Sequence, residues 1–346
     1  MFTKSIYRKF PTMRLERLSL DEWEDALPND GIEVFHSSDA LSVLDAHTDG
    51  QLELLGGFKG DRPTALLPAF VREVSVGRMV TSPPPGMGVP RLGPILMPAS
   101  PKRRKRERVN KKFSELVVGE LDLASPTTLF QFVCPPMYTD PRPYTWQGFG
   151  TNTQFTYQID VSNADPDELL TDASKSLRRE VSDGRDLDIT VNREGISAAR
   201  RVFEETRDRY AEQGESFPLS WPYVRDLVES LGDHAQVYVV RSPDMAFLAG
   251  VIVLYSPETA CFWLGGGRAI HDGVAVNSLI HWQIIEDIAA GQPIDTVHQY
   301  DLHGANTERL CQYKSKFGPT LHPFYVIDTG GYRMDLAEWV YETVLR

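Results

Sequence analysis

Three apolar runs at 236–241, 246–255 and 259–265 stand almost end to end, and a helical stripe at 276–290 follows them. No other feature constrains the chain as much. Segments this short, separated by only a few residues, pair as neighbouring antiparallel strands. In the stripe, Leu279, Trp282, Ile285, Ile288 and Ala289 recur at helical spacing, so one face of that helix packs against the sheet. The expected fold class is α+β, with a mixed α/β sheet.

The rest of the chain follows the same plan with different residues. In the first half, strands are expected at 13–18, 51–58, 62–71 and 128–133, the middle pair turning through Gly60-Asp61. Ser19 and Glu22 have capping-box spacing, and a charged helix is expected over 102–123. In the second half, strands are expected at 154–161 and 187–191. A helix starts at Asp165-Pro166 and runs in one or two pieces to about 185. Further helices are expected at 195–213 and 221–231, a strand at 296–300, and a short helix at 306–317 stopped by Gly318-Pro319. A strand at 321–327 and a terminal helix at 335–345 close the chain. Two stretches rich in proline and glycine, 82–94 and 134–153, read as loops. A length of 346 residues suits two domains, and the pattern divides them as 1–153 and 154–346.

Apolar residues make up 41% of the chain, enough for a sizeable core. No uncharged apolar run reaches the ~18 residues of a membrane span. The opening residues lack the continuous apolar segment of a secretory signal. Cys134, Cys261 and Cys311 are far apart, so neither a disulfide framework nor a zinc site is expected, and a cytoplasmic location fits. The formal charge is −12, yet residues 102–112 (KRRKRERVNKK) carry +7, which leaves −19 on the rest. A body that acidic repels nucleic acid over most of its surface. Only 10 of the 36 basic residues are lysine. That balance points to a halophilic host, the alternative being a GC-rich genome with an ordinary acidic chain. The basic segment has three readings: a solvated face, a contact for substrate phosphate, or a peripheral patch at a membrane surface, all weakened by salt. No recognised reading helix accompanies it, so DNA is not an expected partner.

The chain has no Walker phosphate loop, no H-E-x-x-H, no G-x-S-x-G and no EF-hand loop. No metal is expected. The informative region is 259–319. A strand ends in Trp263-Leu-Gly-Gly-Gly267-Arg268, and a loop through His271, Gly273 and Ala275 leads to a helix at Val276. A strand, a glycine loop and a helix start together suit a phosphate or pyrophosphate. The alternative is a plain connection whose glycines supply positive φ. Asp301 and His303 lie at i, i+2 and share a side if the strand continues. A carboxylate beside an imidazole can act as general base; equally, Asp301 or Asn306 can cap the loop backbone. Lys314 sits on the short helix, where it can stabilise an oxyanion or phosphate or be an ordinary surface lysine.

These pieces, in this order, resemble the FemAB-like acyltransferases of the GNAT superfamily. The strand Thr156-Tyr157-Gln-Ile-Asp160-Val-Ser162 and the basic helix Lys175-Ser-Leu-Arg178-Arg179 come first. A helix with a central Trp282, the turn Tyr300-Asp301-Leu-His303-Gly304 and the close Tyr313-Lys314-Ser-Lys316-Phe317-Gly318 follow. Tyr313 stands where the family has Phe. The family's donor loop, R/Q-x-x-G-x-G/A, is stretched here to Arg268-x-x-x-x-Gly273-x-Ala275. The resemblance spans roughly 10–340 and implies two tandem GNAT-like domains with the active cleft between or beside them. It implies transfer of an acyl or aminoacyl group to an amine or hydroxyl of a small or cell-surface glycan precursor. The donor would be an acyl-CoA, such as acetyl-CoA, or an aminoacyl-tRNA. Lys314 matches the family lysine that acts on the transferring carbonyl, and Asp301 or His303 would take the proton. Arg178, Arg209 and Tyr223 would hold the acceptor, with Trp263, His281 and Tyr313 as further substrate contacts. Arg268, Gly273, Ala275 and Val276 would hold the donor. The rival expectation is a non-catalytic GNAT-like module that binds a glycan or lipid-linked precursor.

Overall fold

Local signals set most of the element boundaries. The Ser19 hydroxyl accepts from the Glu22 N–H at 3.2 Å while the Glu22 carboxylate accepts from the Ser19 N–H at 2.8 Å, and a helix begins there. The computed structural model describes residues 13–330 except 76, 98–99, 163, 188 and 268–269. Arg268 and the helix expected at 335–345 lie outside the described residues.

The chain opens with β1 (Arg14–Arg17), α1 (Leu20–Ala26), a 3-10 turn (Val34–His36) and α2 (Ser38–His47). β2 (Gln51–Lys59), β3 (Arg62–Val74) and β4 (Gly77–Ser82) come next, then the short β5 (Ile95–Leu96), α3 (Arg103–Glu120), β6 (Thr128–Val133) and α4 (Arg142–Thr145). β7 (Gly150–Asp160) precedes α5 (Pro166–Asp172) and α6 (Lys175–Asp186). A second series follows: β8 (Thr190–Glu194), α7 (Ile196–Glu212), α8 (Trp221–Leu231), β9 (Ala235–Arg241), β10 (Phe247–Tyr255) and β11 (Thr259–Gly266). The hairpin β12 (Ile270–His271) and β13 (Val274–Ala275) leads into α9 (Val276–Ala289) and β14 (Gln299–Asp301). α10 (Glu308–Lys314), a 3-10 turn (Ser315–Phe317) and β15 (Thr320–Asp328) complete the described chain.

Among the described residues the main sheet is mixed and has 13 strands, in the order β1-β2-β3-β4-β6-β15-β7-β14-β11-β10-β9-β8 with β5 beside β3. Its two ends are built alike. Each is an antiparallel run (β1 to β4, β8 to β11), then a helix (α3, α9), then a strand parallel to the last of the run (β6, β14). The last strands are exchanged. β7 pairs with β14, whereas β15 pairs with β6, and β7 and β15 pair along their length at the centre. The 153/154 division falls inside β7. On one face of the sheet, α1 and α2 share a core with α7 and α8, so first-half Trp23 and Leu41 belong with second-half Val224 and Leu227. His47 of α2 and Asp226 of α8 meet at 2.8 Å there.

Several expectations shift. The strand expected at 187–191 starts later, because α6 runs to Asp186 and Leu187 is its C-cap. α2 and β4 lie where no element was expected. α9 is buried on more than the expected stripe, including Ser278, Ile280, His281 and Ile284. His281 is buried against the sheet at Phe262 and Tyr300, while Lys316 of the 315–317 turn bonds Ser278 and α6 closes over Leu279. Gly184 of α6 permits that approach: a Cβ there would lie 2.5 Å from Leu279 Cδ2.

Candidate active site

β11 and β14 run in parallel where 259–261 pair with 299–301. Beyond that point they part. β11 continues to Gly266 along β10. The chain after Asp301 stays with β7, the Leu302 N–H donating to Tyr157 O and the Ala305 N–H to Phe155 O, both at 2.9 Å. The matching first-half pair, β4 and β6, keeps its pairing over 78–82. The divergence is thus confined to the second half.

Left-handed backbone at His303 (φ 59°) and Gly304 (φ 47°) turns the chain just past β14. Extended geometry therefore does not carry Asp301 and His303 to one side. Instead Asp301 Oδ1 accepts the His303 N–H at 2.7 Å, which is the capping role. Asn306 does not cap its own loop but bonds β7, its Oδ1 accepting from the Phe155 N–H at 2.8 Å.

Asp301 is 0% exposed. Its carboxylate accepts from Thr156 Oγ1 at 2.6 Å, Arg91 Nη2 at 2.7 Å and Gln158 Nε2 at 3.2 Å. Arg91, 1% exposed, also holds Glu33 through Nε at 2.8 Å and Nη2 at 3.2 Å. Burial pushes the Asp301 carboxyl up, but Arg91, Thr156 and the His303 amide outweigh it and hold the group below the usual carboxylate range. Arg91 went unnoticed in the sequence. Its one signal was a lone arginine within the 82–94 loop of prolines and glycines.

Lys314 ends α10 and is 7% exposed, so it is not a surface lysine. Its ammonium donates to the carbonyls of His303 and Gly304. Burial lowers its pKa to about 8, against the pull of Asp301. Burial and then Arg91 bring the pKa of the His303 ring down to about 4. It is therefore neutral at pH 7.

The other face of β14 carries an aromatic group. His281 Nδ1 and the Tyr300 hydroxyl share a hydrogen bond of 2.7 Å. The His281 ring packs against Phe262, Phe317 and Tyr313, and burial lowers its pKa to about 3. Lys316 Nζ lies 4.5 Å from the Tyr313 ring centroid. It donates to Ser278 Oγ at 2.7 Å and to Glu180 at 2.8 Å, which puts a cation on the first turn of α9.

The expected donor residues line the approach to α9. Gly273 (φ 87°) and Asp272 (φ 46°) form the tip of the β12–β13 hairpin, a conformation that favours glycine. Ala275 is the N-cap of α9 and supplies no side-chain bond, and Val276 begins the helix buried. The stretched loop is thus a hairpin joined directly to a helix.

The expected acceptor residues scatter. Arg178 is exposed on α6 and donates to the Thr171 carbonyl. Arg209 of α7 donates to the Gly265 carbonyl at 2.9 Å, beside Thr206 on the same oxygen, and so borders the end of β11. Tyr223 and Trp263 lie in the core common to both halves, rings 6.2 Å apart. Trp263 Nε1 donates to Gly88 O at 2.8 Å, and the buried Tyr223 hydroxyl has no hydrogen-bond partner among the described residues. Among the described residues, no group of three or more His, Cys, Asp or Glu side chains is placed to hold a metal ion. No helix among them is long and apolar enough to cross a membrane.

Comparison with known proteins agrees with this geometry. Residues 171–315, which include the divergence, α9 and Lys314, match the model of the acetyltransferase (GNAT) domain. No curated protein matches the chain. Among solved structures, FemX superposes with a TM-score of 0.68 at 10% identity, over 96% of this chain and 100% of its own. The C-terminal domain of a putative lysylphosphatidylglycerol synthetase from Agrobacterium fabrum gives 0.57 at 13%, over 93% and 96%. A tandem GNAT protein from the clavulanic acid biosynthesis pathway gives 0.52 at 13%, over 92% and 99%. The chain therefore has the fold of FemX and of the tandem GNAT protein, and residues 171–315 match a GNAT domain.

Proposed function

We propose that this protein is an acyltransferase that moves an acyl or aminoacyl group onto an amine or hydroxyl of a small or glycan-precursor acceptor. The observation that carries the reading is the parting of β11 and β14 next to the buried ammonium of Lys314, inside the segment that matches a GNAT domain. The donor carbonyl would enter this gap. Two of the three Lys314 N–H groups are committed to backbone carbonyls, and the third would meet the oxyanion as the acceptor attacks. The acceptor proton would pass to the neutral His303 ring, and from there to the departing thiolate or alkoxide. Asp301 would serve as an anchor, since its oxygens already accept from Arg91, Thr156, Gln158 and the His303 amide. The start of α9, with Lys316 on its first turn, would attract donor phosphate. Arg209 is the expected acceptor contact that borders the gap.

A second reading, a non-catalytic module for a glycan or lipid-linked precursor, draws support from the β12–β13 hairpin, which stands where the family's short donor loop runs. One experiment separates the two. The full chain is titrated calorimetrically with acetyl-CoA and with aminoacyl-tRNA, and each donor that binds is tested for acyl transfer to a panel of amino sugars and amines. Turnover that depends on Lys314 supports the enzyme. Binding of acceptors without turnover from either donor supports the module, and full turnover by Lys314→Ala removes the proposed chemistry.

A further inference from the structure

The basic segment at 102–112 is one ordered face of α3. That helix packs inward through Asn110, Phe113, Ser114, Val117 and Val118. Arg104, Lys105, Arg108, Lys111 and Lys112 follow at i, i+1, i+4, i+7 and i+8, on the opposite side. Lys111 and Lys112 share Glu115 at 3.9 Å and 3.6 Å. Among the described residues, Arg104, Lys105 and Arg108 have no ion-pair partner. A face of cations therefore projects into solvent from a protein that is acidic elsewhere.

An exposed indole stands near it. Arg142 of α4 donates to Glu107 of α3 at 2.9 Å, and its guanidinium lies 5.5 Å from the Trp146 ring centroid. Trp146 is 59% exposed, and Met137, in the loop before α4, is 71% exposed. Met137 lines a cavity of about 910 Å³ together with Arg103 and Arg106 of α3. The indole thus stands at the edge of the cation face, through Arg142 and Glu107, while the thioether lies toward the packed side of α3 with Arg103 and Arg106.

We propose that this edge docks the protein on an anionic phospholipid bilayer. Each basic residue close to an anionic leaflet strengthens attachment about fivefold. Tryptophan settles at the boundary between headgroups and acyl chains. A bilayer is flat and meets only this edge, so the −19 carried by the rest of the chain stays in solvent. A folded RNA would wrap onto those acidic flanks and be repelled by them.

The test is co-sedimentation of the full chain with two vesicle types, phosphatidylcholine alone and phosphatidylcholine with about one third phosphatidylglycerol, at low and high salt. Binding is expected only to the anionic vesicles and is lost at high salt. The triple variant Arg104→Gln, Lys105→Gln, Arg108→Gln is expected to bind about 100-fold more weakly, and Trp146→Ser several-fold more weakly. Both should unfold at the parental temperature, because the replaced side chains are exposed. Equal binding to neutral and anionic vesicles, parental binding by the triple variant, or patch-dependent binding of tRNA without any vesicle binding would overturn the proposal.

Discussion

Burial and hydrogen bonding pull Lys314 in opposite directions. Burial disfavours its charge, while two carbonyls and nearby Asp301 favour it, leaving a pKa of about 8. If the ammonium stabilises an oxyanion, turnover should fall as pH rises through 8, and Lys314→Arg should move that limb upward; a pH–rate profile checks both. Lys314→Ala should cost about 100-fold or more in turnover. The same shift has a sign for stability. From pH 8 up to the ordinary lysine value the unfolded chain holds the extra proton, so this residue makes the fold more stable as pH rises through that window. Urea midpoints of the parent and Lys314→Met across the window would show it. Arg91 has a different role. Replacing it with leucine strands Glu33 and Asp301 in the interior, at a cost of about 3–5 kcal/mol, readable in the same titration. Lys314 was legible because a short motif surrounds it. Arg91 was not, because its partners lie 58 and 210 residues away and no local pattern records so distant a bond.

At the scale of elements, the contact between α6 and α9 rests on one missing side chain. Gly184→Ala places a methyl against Leu279 and should cost about 1–3 kcal/mol by overpacking, seen as a lower denaturant midpoint with an unchanged slope. α8, β6 and β9 to β11 were legible because turn residues or caps bracket strongly periodic runs. β8 was misplaced because Leu187 and Ile189, just past α6, alternate like a strand start. α9 looked one-sided because its polar residues, Ser278 and His281, are buried through specific bonds to Lys316 and Tyr300. Hydropathy cannot distinguish a solvated hydroxyl or imidazole from a paired one. Tyr223 and Trp263, both expected as substrate contacts, lie together in the core.

For the whole molecule, the sequence showed two similar halves but not that they exchange strands. Strand pairing leaves no mark in a single chain when both candidate partners are apolar and of similar length. The exchange makes a clear prediction. Fragments 1–153 and 154–346, produced separately, should each fail to unfold cooperatively, since the first lacks β15 beside β6 and the second lacks the start of β7. Mixing them should restore a cooperative transition, and a cooperative melt from either fragment alone would show that the halves are self-sufficient.

The exchange also orders events on the ribosome. β6 is complete at Val133, but β15, which covers its edge, ends at Asp328. At a translation rate of about 5–20 residues per second the intervening stretch takes about 10–40 s to make. For that time the newborn first half carries an uncovered strand edge, the kind of surface that recruits neighbouring chains. Slower translation of the second half lengthens the exposure, so the yield of soluble protein should depend on codon choice far downstream of the segment at risk.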